Sequence, residues 1–485
     1  MAAAQAQSWV GESGGLLSNP KRMEASLMEA GARHLVTSFL GRYISTGSLI
    51  LMEEGGTIFT FKGNKRKSSL KVVLKVHRPQ FYWKVMTRAD LGLASAYIDG
   101  DFSFTDKNDG LLNLFMNLPW RFVRQIFIAS RDSKSSASKL NKRRGWWTPV
   151  LFTAGLASAK YFFAHCLRKN TLKQARINNS RHFDLSNELF ALFLGESMQY
   201  SCAVFKKEDE DLNVAQQRKI SLLIEKARID EKHEVLEIGC GWGIFAIQVV
   251  KQTGCKYTGI TLSEEQLKFA EKKVKDAGLQ DNIRFLLCDY RQLPDANKYD
   301  RIIACEMIEH VGHEFIEEFF SCCESVLAED GVLVLQVVLS HFLFDYNVLV
   351  PESPDARYEE YRKSSEFMKE YIFPGICVPS LSRVISAMAA ASRLSVEHVE
   401  NIGHHYYQTL RSWRKFFMEN QRLDIELLQT THSPPTVVAE EPQAFSRRIT
   451  FTNKPCPLQP GKNTGGCRLF CGLDDHEKMR SIETT

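Results

Sequence analysis

With 485 residues, 44% of them hydrophobic and 25% charged, the chain is long enough for two domains with real cores, and it carries no repeat or collagen-like bias. Its 12 cysteines are scattered, with no C-x-x-C pair and no secretory leader, which argues against a disulfide framework and for a reducing, cytoplasmic compartment with mostly buried thiols. The formal net charge is only +5, but it is unevenly spread.

Residues 1–30, small and polar, read as a disordered leader. A small α+β domain is expected over 31–120. Short alternating runs such as Ser48–Met52, Thr57–Phe61 and Leu70–Lys75 predict strands, and Ala89–Gly100 predicts a helix ending at glycine. The stretch 121–178 reads as a basic, apolar linker. Between Arg121 and Arg176, thirteen basic residues face the single acid Asp132, a local net of +12, beside Trp146, Trp147 and the largely apolar run Pro149–Leu167. Basic charge, tryptophan and an apolar helix together suit a segment lying on an anionic membrane surface. A buried core helix and a membrane span are the alternatives, and a span would set Lys160 near mid-bilayer at a cost of about 2.5–3.5 kcal/mol. Nucleic acid is not expected as a partner, because that reading leaves the apolar run unexplained.

Residues 179–420 carry the pattern of a doubly wound α/β domain. Val235–Ile238 is an apolar strand running into Gly239, Gly241 and Gly243, and a helix follows from Ile244 to Gln252. Further strands are expected at Tyr257–Thr261, Ile283–Leu287, Tyr299–Ile303 and Gly331–Gln336, with an amphipathic helix over Phe315–Leu327. Ligands of such sheets bind outside the carboxyl ends of the strands, so these strand ends face one crevice. The loop reads Glu237-x-Gly-x-Gly-x-Gly243 rather than Gly-x-Gly-x-x-Gly, which fits S-adenosylmethionine better than a pyrophosphate. The second strand ends Gly259-Ile-Thr261-Leu-Ser263 without the acidic side chain that commonly takes the ribose hydroxyls. The following helix opens Ser263-Glu-Glu-Gln266, so Glu264 or Gln266 could replace the acid, or Gln266 could simply complete a capping box.

Six motifs then occur in order: His182–Asn187, Met198–Cys202, Leu236–Gly243, Thr261–Gln266, Glu306–Gly312 and Tyr371–Gly375. Together they resemble the cyclopropane fatty acid synthases, and in wording the plant-type members, from about Gly31 to Phe417. The resemblance implies an S-adenosylmethionine-dependent methyltransferase, Rossmann-like in fold, that bridges the cis double bond of an unsaturated phospholipid acyl chain. It implies peripheral membrane association and leaves a homodimer open. It places Tyr200, Ser201, Glu237, Gly239, Gly241, Gly243, Thr261, Gln266, Tyr290 and Arg291 around the cofactor, and it favours Gln266 for the ribose. Around the reaction centre it places Cys202, Glu309 and Tyr406, which hold a bicarbonate ion acting as base. Gln336 stands at a fourth position that is commonly His.

Such a site makes chemical sense. An alkene is a weak nucleophile, so it must be aligned with the sulfonium methyl in a dry pocket, and aromatic faces can hold the cation that forms. A Glu309 that binds an anion should have a raised pKa, since two bare anions repel.

Other readings of these residues are plainer. Glu309-His310-Val-Gly-His313-Glu314 has the composition of a metal cluster but no third ligand at standard spacing, so no metal is expected. Cys202 reads as a neutral neighbour lending backbone contacts rather than a nucleophile, Cys322-Cys323 as helix core, and His404-His405 as a packed strand end.

Two departures from the family stand out. Ser340–Pro351 intervenes before Arg357-Tyr-Glu-Glu-Tyr361. After about Asn420 the pattern gives way to a divergent tail, 421–485, expected to be disordered and to lack the family's last strand. Cys456, Cys467 and Cys471 lie there in no matching context. A missing strand would leave the sheet edge open and the enzyme a weak catalyst. The rival readings are a methyltransferase acting on an amine or another small nucleophile, and an inactive membrane-binding relative.

Overall fold

The computed structural model describes residues 25–117, 169–430 and 466–473, apart from short stretches at 45–46, 64–69, 108, 185, 295–297, 340–357, 360–361 and 363–367. The chain divides into two compact units, one built mainly on the N-terminal residues and one on the residues from Cys166 onward. The basic run up to residue 168 with Trp146 and Trp147, most of the leader, the insertion after Ser340 and Cys456 lie outside the described residues. Among the described residues no helix is long and apolar enough to cross a membrane.

The first unit opens with α1 (Leu27–Tyr43), which begins inside the expected leader because Ser26 and Glu29 form a full capping box. Strands β1 (Ser48–Glu53), β2 (Ile58–Lys62) and β3 (Lys71–Val76) follow, then α2 (Gln80–Ile98), β4 (Phe102–Phe104) and α3 (Gly110–Asn117). The helix expected from Ala89 thus starts nine residues earlier, after Pro79. The sheet order is β2-β1-β3-β4, with β1 and β3 parallel. Alternation sends Leu49, Leu51, Val72, Leu74 and Val76 into the core with Phe81 and Phe102. Buried Glu53 is satisfied there by Arg33 (2.6 and 2.7 Å) and the Tyr82 hydroxyl (2.8 Å).

The second unit begins with α4 (Leu172–Phe183), α5 (Asn187–Leu194) and α6 (Leu212–Ala227). It starts earlier than residue 179, since the Asn170 amide already donates to the carbonyls of His310 (2.7 Å) and Val311 (2.9 Å). The alternating part runs β5 (Glu234–Ile238), α7 (Ile244–Thr253), β6 (Lys256–Thr261), α8 (Glu264–Asp276), β7 (Ile283–Leu287), β8 (Tyr299–Cys305), α9 (Ile316–Val326) and β9 (Leu327–Val338). Then come α10 (Leu381–Ala391), β10 (Leu394–Asn401), α11 (Tyr406–Thr430) and β11 (Gly466–Leu473). All five predicted strands are present within a residue or two of their expected starts, except β9, which begins four residues earlier.

The seven-stranded sheet has the order β10-β11-β9-β8-β5-β6-β7. Strands β5 to β9 pair in parallel, and β11 runs antiparallel between β9 and β10, with Arg468 opposite Gln336 and Cys467 opposite Val337. This corrects the expectation of a wholly disordered tail and an open edge. The run Cys467-Arg-Leu-Phe-Cys471 is short and bounded by glycines, so a compositional reading of the Pro-, Thr- and Gly-rich tail hides it. With β11 paired to β9, the missing strand is no longer a ground for expecting a weak catalyst.

Strand order reverses between β5 and β8. Helices cover both faces, and two apolar clusters fill the layers. Leu236, Ile302, Phe319, Leu333 and Leu335 lie in one, and Val235, Phe245, Tyr257, Ile303 and Val334 in the other. Cys323 belongs to this core as expected for the helix, with Cys322 packed against it.

Candidate active site

The switch point between β5 and β8 puts the glycine loop beside the turn that leaves β8. Gly239, Gly241 and Gly243 all have positive φ, at 86°, 52° and 76°. They do different work. A Cβ on Gly239 would lie 2.9 Å from Met307 Cγ, and one on Gly243 would lie 2.7 Å from Ala270 Cβ, so both are required by packing. A Cβ on Gly241 would meet nothing within 4 Å, so this part of the loop opens into space that a ligand can fill.

Around that opening, Glu237 is buried and accepts from the Tyr257 hydroxyl (3.0 Å). Burial pushes its carboxyl up to about 8, against the Tyr257 hydrogen bond and the nearby charge of Lys219. At the end of β6 the Ser263 hydroxyl caps α8 through the Gln266 N–H (3.1 Å). The Gln266 side chain does not complete the box: its Oε1 accepts from the Thr261 hydroxyl (2.8 Å), and Thr261 Oγ1 takes the Ser263 N–H (3.2 Å). Gln266 is thereby held at the strand end, where an acid would otherwise sit. Tyr290 is buried on Phe319, and its hydroxyl finds no partner among the described residues. Arg291 is committed internally, with two 2.8 Å bonds to Asp289 and one of 3.1 Å to the Asn170 carbonyl, so its guanidinium braces the loop.

The reaction end is organised by a residue to which sequence reasoning assigned no role. Glu306 leaves β8 with φ 52°, a conformation that costs a non-glycine residue of order 1–3 kcal/mol. One carboxylate oxygen accepts from the Cys202 N–H (2.9 Å) and from Gln336 Nε2 (2.9 Å), and the other from the Tyr406 hydroxyl (2.6 Å). Gln336 also donates to the Cys202 carbonyl (3.2 Å). Three of the four expected reaction-centre residues thus converge, around Glu306. Burial raises the Glu306 carboxyl, while these three donors and Lys219 pull it down.

Glu309, one short turn further on, is separate from that hub. It is buried; one oxygen takes the Val338 N–H and the other has no partner among the described residues. Burial, with repulsion from Glu306, lifts it to about 8, in the expected direction.

Lys219 on α6 is a second residue the sequence did not mark. It is fully buried, donating to Gln199 Oε1 (2.7 Å) and Ser201 Oγ (2.9 Å). Ser201 therefore serves to hold Lys219, and Lys219 carries positive charge toward Glu237 and Glu306. In a helical sequence it reads as one more solvated cation.

Aromatic rings line the same region. Tyr200 has ring centroids of Trp413 at 5.3 Å, and of His182, Phe190 and Phe193 at 5.7 Å. Phe373 lies 4.2 Å from His182 and 5.5 Å from His310. Desolvation lowers His310 to about 4, so it is neutral at ordinary pH. His404 and His405 lie not at a packed strand end but in a 3-10 turn after β10, their ring centroids 3.8 Å apart and tilted by 45°; His404 is exposed, and His405 accepts from the Phe205 N–H (3.4 Å). No group of three potential ligands that could hold a metal occurs among the described residues.

Of the residues expected to hold a bicarbonate ion, the Cys202 N–H and the Tyr406 hydroxyl are engaged by Glu306, as is Gln336 at the fourth position, whereas Glu309 keeps one oxygen without a partner among the described residues.

Residues 170–432 match the mycolic acid cyclopropane synthetase family, which covers more than half of the chain. The chain is 36% identical over 242 residues to a probable fatty acid methyltransferase of Pseudomonas putida, covering 50% of this chain and 58% of that one. It therefore spans little more than half of that relative's length. It is 29% identical over 347 residues to the cyclopropane-fatty-acyl-phospholipid synthase of Escherichia coli, covering 71% and 76% of the two chains. Among solved structures, mycolic acid cyclopropane synthase CmaA1 complexed with SAH and CTAB is similar at a TM-score of 0.50 and 28% identity, over 61% of this chain and 98% of that one. The doubly wound sheet, the glycine loop at its switch point and the match over residues 170–432 agree, and the chain belongs to the mycolic acid cyclopropane synthetase family.

Proposed function

We propose that the protein is an S-adenosylmethionine-dependent enzyme that adds a methylene group across the cis double bond of an unsaturated phospholipid acyl chain, closing a cyclopropane ring. The single observation that carries this reading is the cluster of aromatic rings around Tyr200 together with the Glu306 carboxylate on the turn that packs against the glycine loop. A reaction that passes through a carbon cation and ends with proton loss needs both. The cofactor would be held by the loop from Leu236 to Ile244, by Thr261 and Gln266 at the ribose, and by Tyr200 and Tyr290. Bound there, it supplies an electrophilic methyl on a sulfonium. The chain's own groups do the rest. Tyr200, Phe190, Phe373 and Trp413 exclude water and present ring faces to developing positive charge. Lys219, fixed by Gln199 and Ser201, balances the buried carboxylates. Glu309, raised to about 8, stays protonated at neutral pH and spares the crevice a second anion.

The test is to incubate the full chain with cofactor and oleoyl phospholipid vesicles and to examine the acyl chains by mass spectrometry and proton NMR. A chain one CH2 heavier with upfield ring protons is expected. The same mass with olefinic or methyl-branch signals would favour simple methyl addition, the reaction named for the Pseudomonas relative. Transfer to a small amine alone would move the protein to the rival reading.

Peripheral membrane association through the basic segment Arg121–Arg176 is part of the proposal, since a phospholipid substrate must be met at a surface. Vesicle sedimentation should require anionic lipid and weaken as salt is raised, because exposed charges are screened beyond about 8 Å at physiological ionic strength. Binding that ignores both would contradict it.

A further inference from the structure

Glu306 occupies an unusual place. Its left-handed backbone conformation is one that glycine adopts freely and a glutamate does not, so a glutamate at this position carries a local cost. Its carboxylate takes the Cys202 N–H, the Gln336 amide and the Tyr406 hydroxyl at 2.9, 2.9 and 2.6 Å. These belong to the residues that the family resemblance assigns to a bound bicarbonate and its neighbouring fourth position. A carboxylate and a bicarbonate share the same planar O–C–O acceptor and carry the same charge. The adjoining Met307 side chain packs against Gly239 of the glycine loop, which puts the turn carrying Glu306 next to the opening at Gly241. Lys219 and Tyr406 add positive and donor character to the Glu306 side, whereas Glu309 has only the Val338 N–H.

We infer that the Glu306 carboxylate replaces the bicarbonate ion and is itself the base that removes the proton in the methylene transfer proposed above. The inference rests on that reading for its chemistry. The alkene π pair forms a bond to the sulfonium methyl carbon, and the carbon–sulfur pair leaves with sulfur, giving S-adenosylhomocysteine and a cation on the neighbouring chain carbon. Glu306 takes one proton from the transferred carbon, and the released C–H pair closes the ring onto the cation. The products are the cyclopropane, S-adenosylhomocysteine and a proton that passes from Glu306 to solvent. No external anion enters the balance.

The test uses the full chain in buffer stripped of carbon dioxide. Native turnover on oleoyl phospholipid should be unchanged when bicarbonate is added back. Glu306→Gln, which keeps the volume but cannot take the proton, should lose at least ~10²-fold with no rescue. Glu306→Gly, which relieves the backbone and empties the donor set, should lose a similar factor and recover when bicarbonate is supplied. Binding of ¹³C-labelled bicarbonate, followed by NMR, should be saturable in Glu306→Gly and absent in the native chain. This arm needs no turnover, so it separates the two ideas: a native chain inert on lipid would sink the proposed function, while the binding arm still decides the place of the carboxylate. Native turnover that falls on stripping, bicarbonate bound by the native chain, or a Glu306→Gly chain that folds yet neither binds nor is rescued by bicarbonate would each overturn the inference.

Discussion

Glu306 and Glu309 lie three residues apart on one turn, burial raises both carboxyls, and the fold supplies them with very different partners. Burial raises the Glu306 carboxyl above its ordinary value, but it meets three donors and a buried lysine that all act against that rise. Glu309 meets one backbone N–H and the repulsion of Glu306, an environment that holds it as a neutral acid. The lesson is that the motif Glu306-Met-Ile-Glu309 contains two carboxyls whose roles are set by what the neighbouring strands supply. The one that sequence resemblance favoured, Glu309, is the one the fold leaves poorly solvated.

The largest expected effect breaks the pair apart. Glu306→Gln should lower methylene transfer by roughly 10²–10⁴-fold, the range of a lost general base, while cofactor affinity stays within about twofold. Glu309→Gln, which mimics the neutral acid, should cost less than about tenfold. Steady-state turnover and calorimetry on the two variants check this, and the reverse order would favour Glu309 and the bicarbonate ion it was expected to hold.

Next in size is the cofactor loop. Gly241→Val should weaken S-adenosylmethionine binding beyond calorimetric detection, because it places a branched side chain in the open space and strains a position at φ 52°. A change below about threefold would mean that the ligand does not approach the loop there.

This contrast between the two ends bears on how much the sequence conveys. The cofactor end was legible. Apolar runs closed by glycines marked β5 and its loop; the missing acid after β6 left Glu264 and Gln266 both open, the family resemblance favoured Gln266, and the fold holds that side chain on Thr261. The reaction end was legible in its donors, since Cys202, Gln336 and Tyr406 do converge. Its hub was not, because the direction of the Glu306 side chain depends on a backbone conformation that no pattern of residue types announces. Lys219 was hidden by its neighbours Arg218 and Lys226 in an apparently solvated helix. Arg291 looked available, and only the fold reveals Asp289 as its partner. The last strand was lost in a tail whose composition outweighs one short run of eight residues.

A smaller effect concerns stability. Glu309 is raised from its ordinary 4.5 to about 8, so the folded chain holds a proton there that the unfolded chain has released. Stability from this group is present in full below about 4.5 and is lost as pH rises toward 8. In Glu309→Gln that decline should flatten, giving a Tm less sensitive to pH over this window. An unchanged pH dependence would show that Glu309 is ionised in the fold.

The smallest expected effect is at Cys202. Its backbone N–H and carbonyl are used by Glu306 and Gln336, and its thiol rests on backbone carbonyls, so Cys202→Ala should change turnover by less than about threefold. A large loss would make the thiol a participant.

The measurement that reaches the centre of the account uses cofactor carrying a trideuterated methyl group with oleoyl phospholipid vesicles. If a base on the protein takes a hydron from the transferred carbon and the ring then closes, the bridging carbon of the product retains two deuterons and NMR shows a CD2 bridge. A product that keeps all three deuterons on the added carbon would mean that the proton leaves the acyl chain instead, and the assignment of ring closure and of its base would be wrong.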